Sequence, residues 1–400
     1  MCKFNRIVFP KVPLVFLAIV FLVLPSLSRA EPTREYPFSY GDPLDSRNVV
    51  RTSIALNKLG HDFYREGISP LLPESLEPWV AGAWSFFWTF NLTMWPHDYG
   101  HWARANQAGG DFIIDSYAFP LPEARMVVPA GTTLWQETLM SGGGFEINTM
   151  MRKHTEDRYF QTGFRDAEDM VHSFIQSMMF PIYSVLIAPI NTSDPSSWYG
   201  DPIQYTQLVF ENYSGRPSVV NNVADPGMVS LYKEMFWVNL LVTALDPWMY
   251  FAAEAFSLDL KDLPQLDTRW LYSSNDFSWA YTTRFNTGVL GYEVYLTQHI
   301  KVDDEYFSVY LRAGRPFKNY GVGARFADVL TAGDFSLDAT IDAWDQDNYG
   351  TGGMIGISPG YRVGKNLRVS VDLHWKSDGY ALGLPLEEGL GWLLNGTMYW

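Results

Sequence analysis

The chain has 400 residues, a formal net charge of −15 and a single cysteine, Cys2. A balance that acidic excludes nucleic acid as a partner, because phosphate binding needs clustered Lys and Arg. One cysteine at the second position excludes disulfides and leaves no thiolate for catalysis or metal binding once the N-terminal leader is removed.

Residues 1–30 form that leader. Lys3, Arg6 and Lys11 precede the apolar run Val12 to Leu24, and Ser28-Arg29-Ala30 ends the segment on small residues. This is the layout of a cleaved secretory signal peptide, and the apolar run is shorter than the about 20 residues of a membrane-spanning helix. The expected destination is the envelope of a Gram-negative-type bacterium. What remains is long enough for two domains, and the texture divides it into residues 31–265 and 277–400.

From about 45 to 260 the sequence reads as helices joined by Pro- and Gly-containing loops. Its strongest local signal is Pro96-His97-Asp98-Tyr99-Gly100-His101. Histidines at i and i+4 stand on one helix face, one turn apart, so both imidazoles reach one metal ion. Pro96 opens or kinks the helix, and Gly109-Gly110 stops it. The competing reading is a polar pair inside an aromatic-rich core.

This segment resembles the zinc metallopeptidases that carry an HExxH helix, especially the HExGH form of site-2-type membrane proteases. The resemblance makes His97 and His101 zinc ligands and puts Asp98 at the catalytic glutamate's position. In that family the glutamate takes a proton from a zinc-bound water. Asp98 is one methylene shorter, so the resemblance implies metal binding more firmly than peptidase activity.

A catalytic zinc takes three protein ligands and an open position. Two segments are equal candidates for the third. In Gly142-Gly143-Gly144-Phe145-Glu146 the glycines allow close backbone approach and Glu146 follows at once. Asn239-Leu240-Leu241-Val242-Thr243-Ala244-Leu245-Asp246-Pro247 is similar to the site-2 segment whose Asp binds zinc, although one residue shorter and with Pro247 for the family's glycine. A carboxylate in either apolar setting requires a partner. His61, in Leu59-Gly60-His61-Asp62, is a further candidate to join the site. His172, after Asp166, Glu168 and Asp169, is expected on a helix surface. The apolar stretches Met178–Ile190 and Met235–Phe256 are interrupted by prolines and polar residues and are expected as buried core helices.

After a polar boundary, Asp259–Asp276, the period changes to two. Leu367, Val369, Val371, Leu373 and Trp375 alternate with Arg368, Ser370, Asp372 and His374. That pattern is a strand with one apolar and one polar face. Similar runs predict eight strands, near 277–286, 288–300, 305–314, 317–329, 334–344, 352–363, 366–376 and 388–400. Each has about the length a tilted strand needs to cross a bilayer. The terminal Trp400 resembles the closing aromatic of outer-membrane β-barrel proteins. Apolar faces would meet lipid, while Arg368, Asp372, Asp338, Asp342 and Glu293 would pair inside a filled interior. A soluble β-sandwich is the runner-up.

The expected fold is therefore α+β, an N-terminal helical domain followed by a C-terminal antiparallel β-barrel of about eight strands. The expected function is a zinc-dependent, metallopeptidase-like hydrolase anchored in the cell outer membrane. Asp98 would be catalytic, His97 and His101 with Glu146 or Asp246 would bind metal, and membrane lipid and a peptide or other envelope substrate would be its partners. The alternative is a non-enzymatic envelope structural or binding protein with a barrel anchor.

Overall fold

A computed structural model describes residues 34–41, 45–118, 121–163, 167–186, 200–251 and 270–399. The leader, residues 259–269 of the boundary stretch and Trp400 lie outside the described residues.

The helices come first. Helix α1 spans Arg47–Phe63 and α2 spans Glu77–Gln107. A hairpin of β2 (Asp111–Ala118) and β3 (Leu121–Val127) leads to α3, Leu134–Thr162. Then follow α4 (Ala167–Leu186), α5 (Asp201–Ser214) and α6 (Pro226–Ala244), with the small β4 (Val219–Val220) and β5 (Val223–Ala224) hairpin before α6. Helix α2 stops where the glycine pair predicts: Gly109 takes a positive φ of 74° and the Gly110 N–H returns to the Ala105 carbonyl at 2.8 Å. It starts far earlier than expected, because Pro96 lies inside it.

Helix α3 is the axle of the molecule. A capping box of Thr133 and Gln136 starts it, and Gly163 at φ 71° ends it. Every residue from Thr138 to Arg152 is buried, although the stretch includes Glu146, Asn148, Thr149 and Arg152. It packs on α1, α2, α4 and α5 and on the sheet.

The sheet is antiparallel and ten-stranded. Its order starts with β1 (Glu35–Gly41), continues through β14, β13, β12, β11, β10, β9, β8 and β7, and ends with β6 (Tyr272–Ser273). Strands β7 (Phe277–Gly288), β8 (Gly291–Val302), β9 (Glu305–Pro316), β10 (Asn319–Ala332), β11 (Phe335–Gln346), β12 (Gly350–Val363), β13 (Leu367–Lys376) and β14 (Gly389–Tyr399) follow the eight runs read from the sequence. Two strands are additional. Tyr36 pairs opposite Met398 through β1, and Tyr272 opposite Trp279 through β6.

Among the described residues no pairing joins β1 to β6 or β7. The sheet's free edges are satisfied by helices instead. On β7 the carbonyls of Thr283, Phe285 and Gly288 accept from Arg152 Nη2 at 2.7 Å, Thr149 Oγ1 at 3.1 Å and Tyr205 Oη at 2.8 Å. On β1 the Glu35 carbonyl accepts from Lys58 Nζ at 3.0 Å, and the Ser39 N–H donates to Thr52 Oγ1 at 3.3 Å. Unpaired edge groups are costly when buried, and α1 and α3 remove that cost.

Apolar residues point outward and polar residues inward. Ile341, Leu373 and Trp375 are exposed, while Asp342, His374 and Lys376 are buried. Inside, Arg325 pairs with Asp338 at 3.1 Å, Arg368 donates to Ser336 Oγ at 2.6 Å, and Glu293 accepts from Tyr295 Oη at 2.6 Å. The interior also admits α3, whose Glu156 meets Arg284 at 2.5 Å.

Candidate metal centre

His97 and His101 lie on successive turns of α2, both fully buried. Their Nε2 atoms stand 3.2 Å apart. Asp201, the first residue of α5, brings Oδ2 to 3.1 Å from His97 Nε2 and 3.4 Å from His101 Nε2. Four-coordinate zinc with metal–ligand distances of about 2.0–2.1 Å separates its ligand atoms by about 3.3–3.4 Å. The three atoms therefore have the mutual spacing of three corners of such a tetrahedron.

The other ring nitrogens are occupied. His101 Nδ1 donates to the Met140 carbonyl at 2.7 Å, and His97 Nδ1 to Asn148 Oδ1 at 2.8 Å. The second bond is oriented by a chain that begins at Pro96. Lacking an N–H, Pro96 leaves the Leu92 carbonyl without its helical partner. His172 of α4 bonds that carbonyl, so its Nε2 accepts from Gln176 Nε2 at 2.7 Å. Gln176 Oε1 then faces the Asn148 amide N–H, which turns Asn148 Oδ1 toward His97. With Nδ1 committed as the donor on each ring, both Nε2 atoms point at one position beside the Asp201 carboxylate. Support of this kind fixes the tautomer of metal-binding histidines. His172 is thus buried in the network and not on a helix surface, as its acidic neighbours had suggested.

Glycines make the approach possible. A Cβ on Gly100 would lie 2.2 Å from the Gly143 carbonyl oxygen, and one on Gly143 2.5 Å from that of Gly100. A Cβ on Gly144 would lie 2.4 Å from His97 Nε2. The glycine run belongs to the middle of a helix, and the close approach expected of it is observed.

Neither expected third ligand joins the pair. Glu146 is bound by Arg104, with Nε at 2.7 Å and Nη2 at 2.5 Å, and also accepts from Tyr380 Oη and the Gly383 N–H. Asp246 forms an ion pair with Arg152 and accepts from the Trp248 N–H at 3.0 Å. The partner that each buried carboxylate requires is an arginine. His61 also stays apart, its Nε2 3.2 Å from Thr89 Oγ1. The residue missed in the sequence is Asp201. An Asp followed by Pro202 is an ordinary helix start, so nothing local marks it as a ligand.

Asp98 is half-buried next to the pair, and its Oδ2 is buried with no hydrogen-bond partner. Burial raises its pKa to about 6, against the opposing pull of His97 and His101. Asp201 is held well below the usual carboxylate range: burial alone would raise it, and His101 and His97 outweigh that. His101 is raised, because Asp201 outweighs the effect of burial. Among the described residues His97, His101 and Asp201 form a group with metal-ligand spacing, and Asp98 supplies an unspent carboxylate oxygen beside it.

No family model and no curated protein matches the chain. A solved structure that does match is a bacterial polysaccharide outer membrane secretin, at 11% identity and a TM-score of 0.19. The match covers 32% of this chain and 52% of that one, so the chain spans about half the secretin's length.

Proposed function

We propose that this chain is a metal-dependent hydrolase seated in the outer membrane, with zinc held by His97, His101 and Asp201. The observation that carries the reading is the meeting of two imidazole Nε2 atoms and one carboxylate oxygen within 3.4 Å of one another. A cation at that point would satisfy both Nε2 atoms and the carboxylate together, whereas leaving them buried without one requires a proton on an imidazole. Three protein ligands leave one position open, as catalytic zinc sites do. Zinc in such a site supplies Lewis-acid polarisation of a substrate oxygen. Asp98, whose buried Oδ2 has no hydrogen-bond partner, is the group that would take and return a proton. A peptide or another envelope ester or amide is the substrate class. The secretory leader and the outward apolar face of the sheet support the membrane location.

The second reading is a non-enzymatic envelope binding or structural protein. The raised pKa of His101 beside Asp201 favours it, because a protonated His101 would make the trio an ion pair without metal. Metal analysis of purified protein separates the two. Stoichiometric zinc is expected in the wild type and in Asp98→Asn, and its loss in His97→Ala/His101→Ala and in Asp201→Ala. Zinc-free wild-type protein with unchanged folding overturns the metal reading. Hydrolysis of a peptide or ester library that persists in Asp98→Asn overturns the role of Asp98.

A further inference from the structure

Three helices expose apolar side chains on their outer face and bury polar ones beside their apolar core residues. On α2, Trp79, Phe86, Phe87 and Trp95 are exposed, while Ser85, Thr89 and Thr93 are buried. On α6 the exposed residues include Trp237 and Leu241, and the buried ones Asn239 and Thr243. Helix α4 buries His172 and Gln176 beside Met179 and Phe180, and exposes Val185. A helix on a water-facing surface has the opposite polarity.

The outer faces are long and uncharged. From Pro78 to Trp95 helix α2 has no Asp, Glu, Lys or Arg. At 1.5 Å per residue that stretch rises about 27 Å, close to the about 30 Å of a bilayer's hydrocarbon core. Neither does α4 carry a charge from Met170 to Val185, and from Met235 to Phe251 the one charged residue, Asp246, is buried against Arg152.

These helices also stand where the sheet leaves a gap. Helix α6 packs on β7, α4 on α6, α2 on α4, α1 on α2, and β1 on α1. Following those contacts from one sheet edge leads to the other. Thr283 Oγ1 and Tyr281 Oη of β7 donate to the carbonyls of Val242 and Leu245, at 2.7 and 3.3 Å, which joins the strand wall to the helix wall.

We infer that α2, α4 and α6 complete the lipid-facing wall of the molecule, with their exposed aromatic and aliphatic side chains in contact with bilayer hydrocarbon. This rests on the reading of strands β7–β14 as membrane-seated. Continuity selects lipid over a second copy of the chain, since a dimer contact covers one side, and here the apolar surface runs from the outer face of the sheet onto the helices. No helix among the described residues is long and apolar enough to cross a membrane on its own. A wall helix has no need to be, because only its outer face meets lipid and its polar inner face is satisfied in the interior.

Single cysteines in a Cys2→Ser chain test this. Phe86→Cys, Leu241→Cys, Leu373→Cys and Lys365→Cys would each carry an environment-sensitive fluorophore in vesicles of phospholipid with doxyl-labelled acyl chains. Leu373 is on the outer face of the sheet, and Lys365 is in an exposed turn. Phe86 and Leu241 probes quenched as strongly as the Leu373 probe, with Lys365 unquenched, is the expected result. Quenching at Leu373 but not at Phe86 or Leu241 overturns the helical wall and leaves the strand reading intact. Absence of quenching at all four overturns both. Shielding of Phe86 that appears only as protein density in the vesicle rises overturns the proposal in favour of a contact between copies.

Discussion

The Nε2 atoms of His97 and His101 stand 3.2 Å apart, and each ring's Nδ1 is engaged by an oxygen acceptor. Asn148 is the side chain that sets this for His97. Asn148→Ala should weaken zinc binding by about 10–100-fold, the usual effect of losing an outer partner of a ligating histidine. Asn148→Asp, which keeps an acceptor oxygen, should retain most of the affinity. Glu146→Gln and Asp246→Asn should leave zinc stoichiometry unchanged while costing about 3–5 kcal/mol each as their buried arginines lose a counter-charge. Competition with a chromogenic chelator and urea unfolding read the two quantities. Loss of zinc in Glu146→Gln with the fold retained would restore that residue as a ligand.

Gly144 faces the metal centre, and Gly100 faces the helix contact. Gly144→Ala places a Cβ against His97 Nε2, so zinc should be lost with helix content preserved in circular dichroism. Gly100→Ala meets a backbone carbonyl instead. Separating α2 from α3 there should cost about 1–3 kcal/mol, the range for an overpacked core.

The free edge of β7 depends on Arg152 and Thr149. Arg152→Met removes the donor to the Thr283 carbonyl and one of the two guanidinium partners of Glu156, and it takes the counter-charge from Asp246, which keeps the Trp248 N–H. It should destabilise by about 3–5 kcal/mol or prevent folding, because uncompensated buried charges remain. Thr149→Val removes one neutral bond to the Phe285 carbonyl and should cost about 1–3 kcal/mol. Equal losses in the two variants would mean that the edge, and not the charges, dominates.

Acid stability should report His61. Burial pushes its pKa down to about 4, with Glu168 pulling the other way. The unfolded chain takes up a proton below about 6.5, and the folded chain does so only near 4, so stability is lost as pH falls through that window. At pH 5 the loss is about 2 kcal/mol. Glu168 acts lower. Burial would raise its pKa, but Arg34 and Arg65 bring it to about 2, so its contribution is present above about 4.5 and disappears toward pH 2. Urea midpoints at pH 7.5 and pH 5 should therefore differ less in His61→Gln than in the wild type. An unchanged difference would place the acid sensitivity elsewhere.

Leu373 is an exposed, outward residue of β13. On a protein surface in water Leu373→Arg would change stability by about 0.5 kcal/mol or less. In the hydrocarbon region the same change costs about 2–4 kcal/mol. Unfolding in lipid vesicles discriminates between these values, and the smaller one would remove the sheet from the bilayer.

What the sequence by itself determined is what depends on local periodicity. Strands β7–β14 were legible because their alternation is uninterrupted and their turns are short, and the His97–His101 pair because i, i+4 spacing places two rings on one helix face. Only the tertiary structure decided the rest. Strand β1 pairs with β14 across almost the whole chain, and no local pattern specifies so distant a partner. Glu146 and Asp246 look like ligands in sequence because a carboxylate in an apolar run requires a partner, and the partner proved to be an arginine brought by another helix. Asp201 looks like a helix start and becomes a candidate ligand because α5 begins beside the Nε2 ends of the two imidazoles. The apolar stretches at 178–190 and 235–256 state hydrophobicity without direction. Which face turns inward depends on where α3 and its buried polar side chains sit, and that position is a property of packing.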